Sequence, residues 1–279
     1  MNQRQYLDYY VIQPGENSRD IYVMFNDNPG HSLCKVTFEH PFTLKQLDTG
    51  RRNVGVACSQ LSVPNTPTNI STAFGNNFLY LGNDIIVLRD GYYENVTQLQ
   101  DEIQYQIGAA NLNIKCEFHL DHLGFIKYEG DRTLSIPVYD NAGREILPDH
   151  LGTKLGFYYN PNDDEQPPLG QVGDDRVLQL QPETKAEFCG DIFGPTTDCL
   201  LTCDECIYTK ETARVLTVYS LAANPSRSQL HSFFPVKYRP LHDKPFLHSL
   251  TFRLVDRFNR ELEFVSGTPS ATIEIKYLV

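Results

Sequence analysis

The amino-acid sequence predicts an all-β protein, a single antiparallel jelly roll (a β-sandwich) with one short amphipathic helix and loop or small β insertions. About ten short segments alternate apolar and polar residues, which is the period of a half-buried strand. One stretch alone has the period of an amphipathic helix, and the chain lacks the alternation of strands and helices typical of a parallel sheet. Because no internal repeat of fixed period is visible, a propeller or solenoid is disfavoured.

Composition narrows the class of protein further. The chain has 279 residues, enough to bury a sizeable core in one large β domain or two small ones. Its formal net charge of −11 argues against a broad grip on nucleic acid, which needs Lys and Arg to neutralise phosphates. Seven cysteines are an odd number and too few for a disulfide scaffold, so we expect buried free thiols in a reducing interior. Neither a membrane-spanning helix nor a secretory signal is predicted.

The N-terminal region predicts two strands joined by a turn. Alternating patterns occupy residues 21–25 and 35–38, and the polar residues 26–30 separate them. Residues 1–19 precede these strands and are expected to form an N-terminal arm or tail. We expect the remainder, residues 20–279, to form the jelly-roll domain, with room for an insertion within roughly residues 90–200.

A third strand is predicted over residues 54–64, where alternate side chains share an apolar face. A loop over residues 65–77 follows it. The next strand, residues 85–88, is apolar on both faces, which is typical of a covered, central position in a sheet.

The one clear helix is predicted from apolar residues that recur at three- and four-residue steps, namely Val96, Leu99, Ile103 and Ile107. Asn95 is placed to cap its start, with Gln98 three positions later, and Gly108 is placed to end it. Strict alternation over residues 114–120, followed by a turn and the apolar residues 125–128, then predicts a hairpin.

Residues 158–175 are polar and rich in Pro and Gly, so they are predicted to form a loop. The last third of the chain returns to strands, the first over residues 214–221. In the next strand alternate side chains are predicted to line one face: Phe246, His248, Leu250, Phe252 and Leu254. A turn over residues 257–260 leads to further alternation that ends at Tyr277.

The strongest metal-type pattern is a group of four cysteines: Cys189, Cys199, Cys203 and Cys206. The last two have the C-x2-C spacing that lets two thiolates bind one zinc ion. The first two are separated by nine residues, which is not a usual zinc knuckle. Because free cysteine commonly packs as a small apolar residue, we expect these side chains in the core and name them only as the candidate zinc ligands.

The other chemistry-bearing residues form no complete motif. Five histidines were weighed as ligands or acid-base groups: His119, His122, His231, His242 and His248. None has the spacing of a known metal or hydrolase motif, so surface or structural roles are expected. The acidic residues 163–165 lack the rest of a calcium-binding loop. Since no phosphate-binding glycine motif is present either, the sequence predicts no cofactor and no enzyme activity.

Four segments, taken in chain order, follow the pattern of one known family. In the first, residues 40–71, five positions fit: Gly50, Val56, Pro64, Asn69 and Ile70. The second, residues 90–107, has Gly-Tyr-Tyr followed by the predicted helix, and the third is Leu-Gly-Phe at residues 155–157. The fourth, residues 235–278, has the pattern of a closing hairpin, and three of its positions match: Asp256, Phe264 and Gly267. At a fourth position Asn259 stands where a turn glycine is usual. The segments resemble the penton (minor capsid) protein of Polintons, adintoviruses and virophage-like elements, although that family's frequent Trp is missing.

This resemblance implies a structural subunit that assembles as a homopentamer at the fivefold vertices of an icosahedral shell. The implied partners are copies of itself and a double-jelly-roll major capsid protein, with no sequence-specific binding of nucleic acid and no membrane span. The implied location is the virion, after synthesis in the host cell interior. Strand edges and long loops are our candidates for the subunit contacts, the loops being residues 65–77, 158–175 and 191–198.

Two other functions stay open from the sequence. A β-sandwich ligand- or receptor-binding module, similar to a lectin, has residues 158–164 as its candidate site because they combine aromatic, Asn and Asp side chains. A zinc-supported hydrolase on a β scaffold depends entirely on the cysteines and histidines named above.

Overall fold

The computed structural model describes residues 18–43, 54–138, 150–157, 170–172, 175–192, 198–207, 214–221, 229–241 and 246–277. The strands in these residues are, in chain order, β1 (Ser18–Met24), β2 (Leu33–Thr43), β3 (Val54–Val63), β4 (Phe78–Leu81), β5 (Asp84–Val87), β6 (Cys116–Leu120), β7 (Phe125–Gly130), β8 (Leu134–Pro137), β9 (Gly170–Val172), β10 (Asp175–Leu180), β11 (Lys185–Cys189), β12 (Asp198–Cys203), β13 (Val215–Ser220), β14 (Gln229–Ser232), β15 (Arg239–Pro240), β16 (Phe246–Val255) and β17 (Ser270–Tyr277). The helices are α1 (Val96–Ala109), α2 (Leu151–Lys154) and a 3-10 turn at Thr72–Phe74.

The chain divides into two compact units. Unit 1 consists of Met1–Pro67 and Thr197–Val279, and unit 2 is Thr68–Thr196. Each unit has its own cluster of buried apolar side chains. Unit 2 is therefore inserted in the sequence of unit 1 between β3 and β12. The insertion expected from the sequence was placed within residues 90–200.

The strand order of unit 1 is that of a jelly roll. One sheet has the order β1-β17-β3-β14, with β15 also paired to β3, and the other has the order β13-β12-β16-β2. Every strand pair in both sheets is antiparallel. If β14 and β15 count as one interrupted strand, unit 1 has eight strands in its two sheets. Numbered along the chain, the first sheet has the order 1-8-3-6 and the second has the order 5-4-7-2. This order defines an eight-stranded jelly roll, so the predicted fold class is confirmed.

The two sheets of unit 1 are held together by the apolar inner faces of their strands. Val56 and Leu61 of β3 are fully buried, as are Leu201 of β12 and Phe252 and Leu254 of β16. Full burial of one such side chain stabilises the fold by about 2 kcal/mol. The alternating pattern of the sequence therefore marks the residues that pack between the sheets.

The predicted face of β16 is wrong at its N-terminal end. The pairing of β16 with β2 shifts register between Leu247 and Ser249. An extra residue at such a bulge reverses which side chains point inward. Leu247 is consequently buried, whereas Phe246 and His248 are exposed.

Unit 2 combines two sheets with helix α1. One sheet has the order β5-β4-β8-β10-β9 and the other β11-β7-β6, which contains the predicted hairpin. The helix buries the apolar stripe that its sequence predicted, Leu99, Ile103 and Ile107. On its other side the Nε2 atoms of Gln100 and Gln104 donate to the carbonyl oxygen of Cys116. These side chains cover part of the open edge of β6, which would otherwise be free to pair with another strand.

Two local expectations for unit 2 are wrong. Residues 85–88 were expected in a covered, central strand, but β5 is an edge strand and its Ile85 and Val87 side chains are 57% and 54% exposed. Helix α1 was expected to end at Gly108, but it continues to Ala109. The left-handed residue beyond it is Asn111, with a φ of 53°. Asparagine tolerates this conformation better than most residues, so it can replace glycine there.

Replacement of Gly156 by alanine should destabilise the protein strongly. Gly156 has a φ of +81°, and a Cβ atom there would lie 2.2 Å from the carbonyl oxygen of Phe188. We expect Gly156→Ala to lower the free energy of unfolding by more than about 2 kcal/mol. Gly108→Ala is the matched control, because a Cβ atom there meets nothing within 4 Å. That variant should gain up to about 1 kcal/mol from helix propensity. Urea unfolding measures both, and equal effects would contradict the assignment.

Candidate functional site

The loop proposed from the sequence as a subunit contact is largely buried within the protein. Within unit 2 the amide nitrogen of Asn69 donates to the carbonyl oxygens of Tyr93, at 2.8 Å, and Ile192, at 3.2 Å. Its amide oxygen accepts from the backbone N–H of Tyr93 at 2.9 Å. Asn76 in turn accepts from the N–H of Ser71 and donates to the carbonyl of Asn69. These amides therefore fix the backbone of the loop instead of offering a surface.

An ion pair joins Arg89, just before the Gly-Tyr-Tyr segment, to Glu102 of helix α1. The Glu102 side chain is 4% exposed, and its carboxylate accepts from the Nε of Arg89 at 3.0 Å, from the backbone N–H of Arg89 at 3.1 Å and from Gln106 at 2.7 Å. Burial opposes ionisation of Glu102, but the hydrogen bonds from Arg89 and Gln106 outweigh it and lower the pKa of this carboxyl. The pair therefore orients α1 against the strand that precedes it.

The Leu-Gly-Phe segment follows a short helix that carries two buried basic side chains. His150 is fully buried, and its Nδ1 accepts from the backbone N–H of Thr153 at 3.2 Å. Burial, together with the charge of Lys154, lowers the pKa of His150 to about 4. Lys154 is 1% exposed, and its Nζ donates to the carbonyl oxygen of Ile192 at 3.3 Å. Nothing in the sequence indicates this pair, since a helix of four residues is too short for periodicity to identify its buried face.

The candidate zinc ligands lie in different environments. Cys199, Cys203 and Cys206 are fully buried in the apolar core of unit 1. Hydrogen bonding with Cys206 and burial raise the pKa of Cys203 well above its usual value, and burial does the same for Cys199. Cys189 is exposed on β11 of unit 2, where its Sγ donates to the carbonyl oxygen of Leu123 at 3.3 Å. Burial in an apolar core favours the neutral thiol, as is usual for cysteines that pack as small apolar residues.

One group of possible metal ligands does come together among the residues that the structure describes. Glu117, His119 and Glu129 lie on the hairpin of β6 and β7, with their ligand atoms within 4.8 Å of one another. However, the Nζ of Lys115 is 3.3 Å from Glu117 and 3.4 Å from Glu129, and Lys127 is 3.2 Å from Glu129. Both carboxylates are thus already paired with lysines, so the group is a surface network of charges rather than a vacant cation site.

The remaining histidines and acidic residues add no catalytic arrangement within the described part of the chain. His231 packs against the ring of Tyr219, with centroids 4.4 Å apart, and His122 and His248 are exposed. His242 and the acidic residues 163–165 lie outside the described residues. So do residues 158–164, the candidate site of a lectin-like module, and most of the loops proposed at residues 158–175 and 191–198.

The closing hairpin expected over residues 235–278 is wrong, because β16 and β17 pair with strands of different sheets. The turn that follows β16 is built on a buried carboxylate. Asp256 is 1% exposed, and its Oδ1 accepts from the backbone N–H groups of Phe258 and Arg260. Its Oδ2 accepts from the Nε of Arg260 at 2.7 Å. Asn259 has a φ of 63°, the conformation for which the resembled pattern has glycine. The turn therefore keeps its geometry with a different residue.

Exposed apolar side chains are the remaining candidates for a functional surface. In unit 1 they are Tyr22, Val218, Leu230, Phe234, Phe246, Phe258 and Val265, and in unit 2 they are Ile85, Val87, Tyr105, Leu120, Leu123 and Phe188. Phe234 is 95% exposed, an unusual position for a large aromatic ring in a protein that has no partner.

None of the helices in the described residues has the length and apolar character needed to cross a bilayer.

Comparison with known proteins gives similarity of structure but none of sequence. No family model and no curated protein matches the chain. The chain is similar to the mavirus penton protein, with 8% identity and a TM-score of 0.42 over 94% of this chain and 99% of that one. It is also similar to a chain in the structure of the Sputnik virophage, with 8% identity and a TM-score of 0.38 over 95% of this chain and 98% of that one. At these values neither structure transfers residues or roles to this chain.

Replacement of Asn69 by alanine should destabilise the protein more than an ordinary surface substitution. The change removes three hydrogen bonds and leaves the carbonyl groups of Tyr93 and Ile192 without this donor in the interior. We expect a loss of about 3 kcal/mol in the free energy of unfolding. Asn69→Asp should recover little, because a carboxylate cannot donate to the carbonyls. The exposed Asn113→Ala is the control and should change stability by less than about 0.5 kcal/mol in the same unfolding experiment.

Acid should destabilise the protein through His150. Because the folded state holds this pKa at about 4, only the unfolded chain takes up the proton as the pH falls from about 6.5. Stability that is present at pH 7 is therefore lost between pH 6.5 and pH 4, by about 3 kcal/mol for this group. His150→Asn retains an N-cap residue and should flatten the pH dependence of the unfolding free energy by that amount. The exposed His122→Asn is the control, and equal slopes for all three proteins would refute the assignment.

Proposed function

We propose that this chain is a structural capsid protein, the penton (minor capsid) subunit that forms homopentamers at the fivefold vertices of an icosahedral shell. The observation that carries the proposal is the strand order of unit 1. Eight-stranded jelly rolls with two four-stranded sheets are the architecture of viral capsid and lectin domains and of cupins. Among these, the four sequence segments that resemble pentons favour the capsid role.

The positions of the four segments in the structure support the resemblance to pentons. The first includes β3, the central strand that pairs with β17, β14 and β15. The second provides Arg89's partner helix α1, and the third places Gly156 at the left-handed position after α2. The fourth includes β16, β17 and the turns between them, with Gly267 at a φ of 79°. All four therefore correspond to elements that determine the backbone, which is where a structural family retains its pattern.

The interior of unit 1 favours a structural role over a binding or catalytic one. A ligand site needs a few convergent polar groups in a concavity. Between the sheets, the side chains of the described strands are mostly apolar. The exceptions include the hydroxyl of Tyr219, which donates to the amide oxygen of Asn65, and four buried thiols: Cys34, Cys58, Cys199 and Cys203. Function is therefore expected on the outside of the unit, in contacts with other chains. The proposed partners are further copies of this chain and a double-jelly-roll major capsid protein, and the proposed location is the virion.

The mass of the purified protein in solution tests the proposal. A homopentamer has a mass of about 159 kDa, five times the 31.8 kDa of one chain, and should give class averages with fivefold symmetry in the electron microscope. Head-to-tail contacts close such a ring only if each subunit presents two different surfaces. A stable dimer or trimer would contradict the pentamer and would favour the lectin-like binding module, which a glycan screen would then examine.

A further inference from the structure

The four edge strands of the jelly roll differ in their protection against pairing with other strands. Edge strands usually carry charged residues or proline, which prevent unwanted pairing. On one side of unit 1, β1 contains Arg19 and Asp20, and β2 contains Lys35, Glu39 and Pro41. Of the other two edges, β13 (VLTVYS) contains no Asp, Glu, Lys, Arg or Pro. The edge formed by β14 (QLHS) continues into β15, which is Arg239–Pro240, and the Nε of Arg239 donates to the carbonyl oxygen of Val215 at the start of β13. Beyond Val215, β13 is therefore the least protected edge.

Strands β13 and β14 lie together and expose apolar side chains. The ring of Tyr219 on β13 contacts the ring of His231 on β14, which places these two edges on the same side of unit 1. Val218 is 54% exposed and Leu230 is 66% exposed, and the almost fully exposed Phe234 follows β14. Among the described residues no strand pairs with the outer edge of β13. An uncharged, β-branched edge of this kind is a site for the addition of a further strand.

The chain itself contains a segment that suits this edge. Residues 6–12 read Tyr-Leu-Asp-Tyr-Tyr-Val-Ile, a run rich in aromatic and β-branched residues with a single charge, and Pro14-Gly15 separates it from β1. The segment lies outside the described residues. Five residues, 13–17, link it to Ser18, where β1 begins, and an extended link of that length reaches about 20 Å.

Strand β1, which the segment precedes in the chain, and strand β13 lie on opposite sides of unit 1. In its sheet β1 lies three strand positions from β14, a distance of about 14 Å, and β1 contacts β2 of the other sheet. The side formed by β1 and β2 therefore faces away from the side formed by β13 and β14. A surface that supplies a strand on one side and accepts one on the other gives a head-to-tail contact, which is the type that closes a ring.

We propose that residues 6–12 of one copy of this chain add as a strand to the outer edge of β13 in a neighbouring copy. This inference rests on the proposed self-assembly and specifies its contact. The added strand extends the sheet β13-β12-β16-β2 by backbone hydrogen bonds, and its apolar side chains contact Val218. Docking also covers β13, the edge strand that itself contains no charged residue and no proline.

Cross-linking between two differently labelled full-length chains tests the contact. In a Cys189→Ser background, which removes the exposed native thiol, one protein carries Tyr10→Cys and the other carries Val218→Cys. The two are mixed, allowed to exchange subunits, and treated with a short bismaleimide, and the joined peptides are identified by mass spectrometry. In the control mixture Tyr22→Cys, on exposed β1, replaces Val218→Cys. We expect at least about tenfold more cross-link with Val218→Cys, because docking raises the local concentration of residue 10 at that site.

The outcomes separate the contact from the proposed assembly. A fivefold ring without the Tyr10–Val218 cross-link overturns the strand addition and leaves the penton proposal intact. A cross-link between chains that assemble with a different stoichiometry supports the strand addition and overturns the pentamer. Monomers without the cross-link overturn both. A third protein carries both Tyr10→Cys and Val218→Cys in the same chain. If the cross-link forms only within that chain, residues 6–12 bind their own copy, and strand addition between neighbours is overturned.

Discussion

The pairing of the last strand, β17, is the constraint on which unit 1 depends. β17 lies between β1 and β3 and pairs with both along most of its length. The preceding strand, β16, lies between β2 and β12 in the other sheet. Neither sheet is complete until residues from both ends of the chain have met, so the fold consists mainly of contacts between residues distant in sequence. Such topologies fold slowly, which increases the importance of a well-formed turn at Asp256 and Asn259.

Unit 2 is specified by buried polar groups as much as by its apolar core. Asn69, Glu102 and His150 are each almost fully buried, and each has hydrogen-bond partners at defined positions. A buried polar group is costly when its partner is displaced, so these residues select one arrangement of the backbone. Three of the segments that resemble pentons contain or adjoin these residues. Their physical role is therefore to hold loops in place, which differs from the contact role expected for the loop of residues 65–77.

The edge strands of unit 1 differ in charge. Charged residues on β1 and β2 disfavour pairing there, and β15 adds Arg239 and Pro240 beside β14. Strand β13 contains neither a charged residue nor a proline, and its Val218 is exposed. A monomeric β-protein with such an edge is at risk of aggregation. A subunit that is always covered on that side by its neighbour has no such risk. The asymmetry is thus consistent with the proposed ring, in which every subunit uses two different sides.

The sequence by itself determined the fold class, helix α1 with its Asn95 cap, the hairpin of β6 and β7, and the burial of most cysteines, because these follow from residue periodicity and local hydrogen bonding. It could not determine the face of Phe246, because a bulge that depends on pairing with β2 reverses the alternation. Nor could it reveal that β5 is an edge strand, or that Asn69 and Lys154 are buried. Strand order and the burial of polar groups depend on contacts between distant segments, and a local pattern carries no record of them.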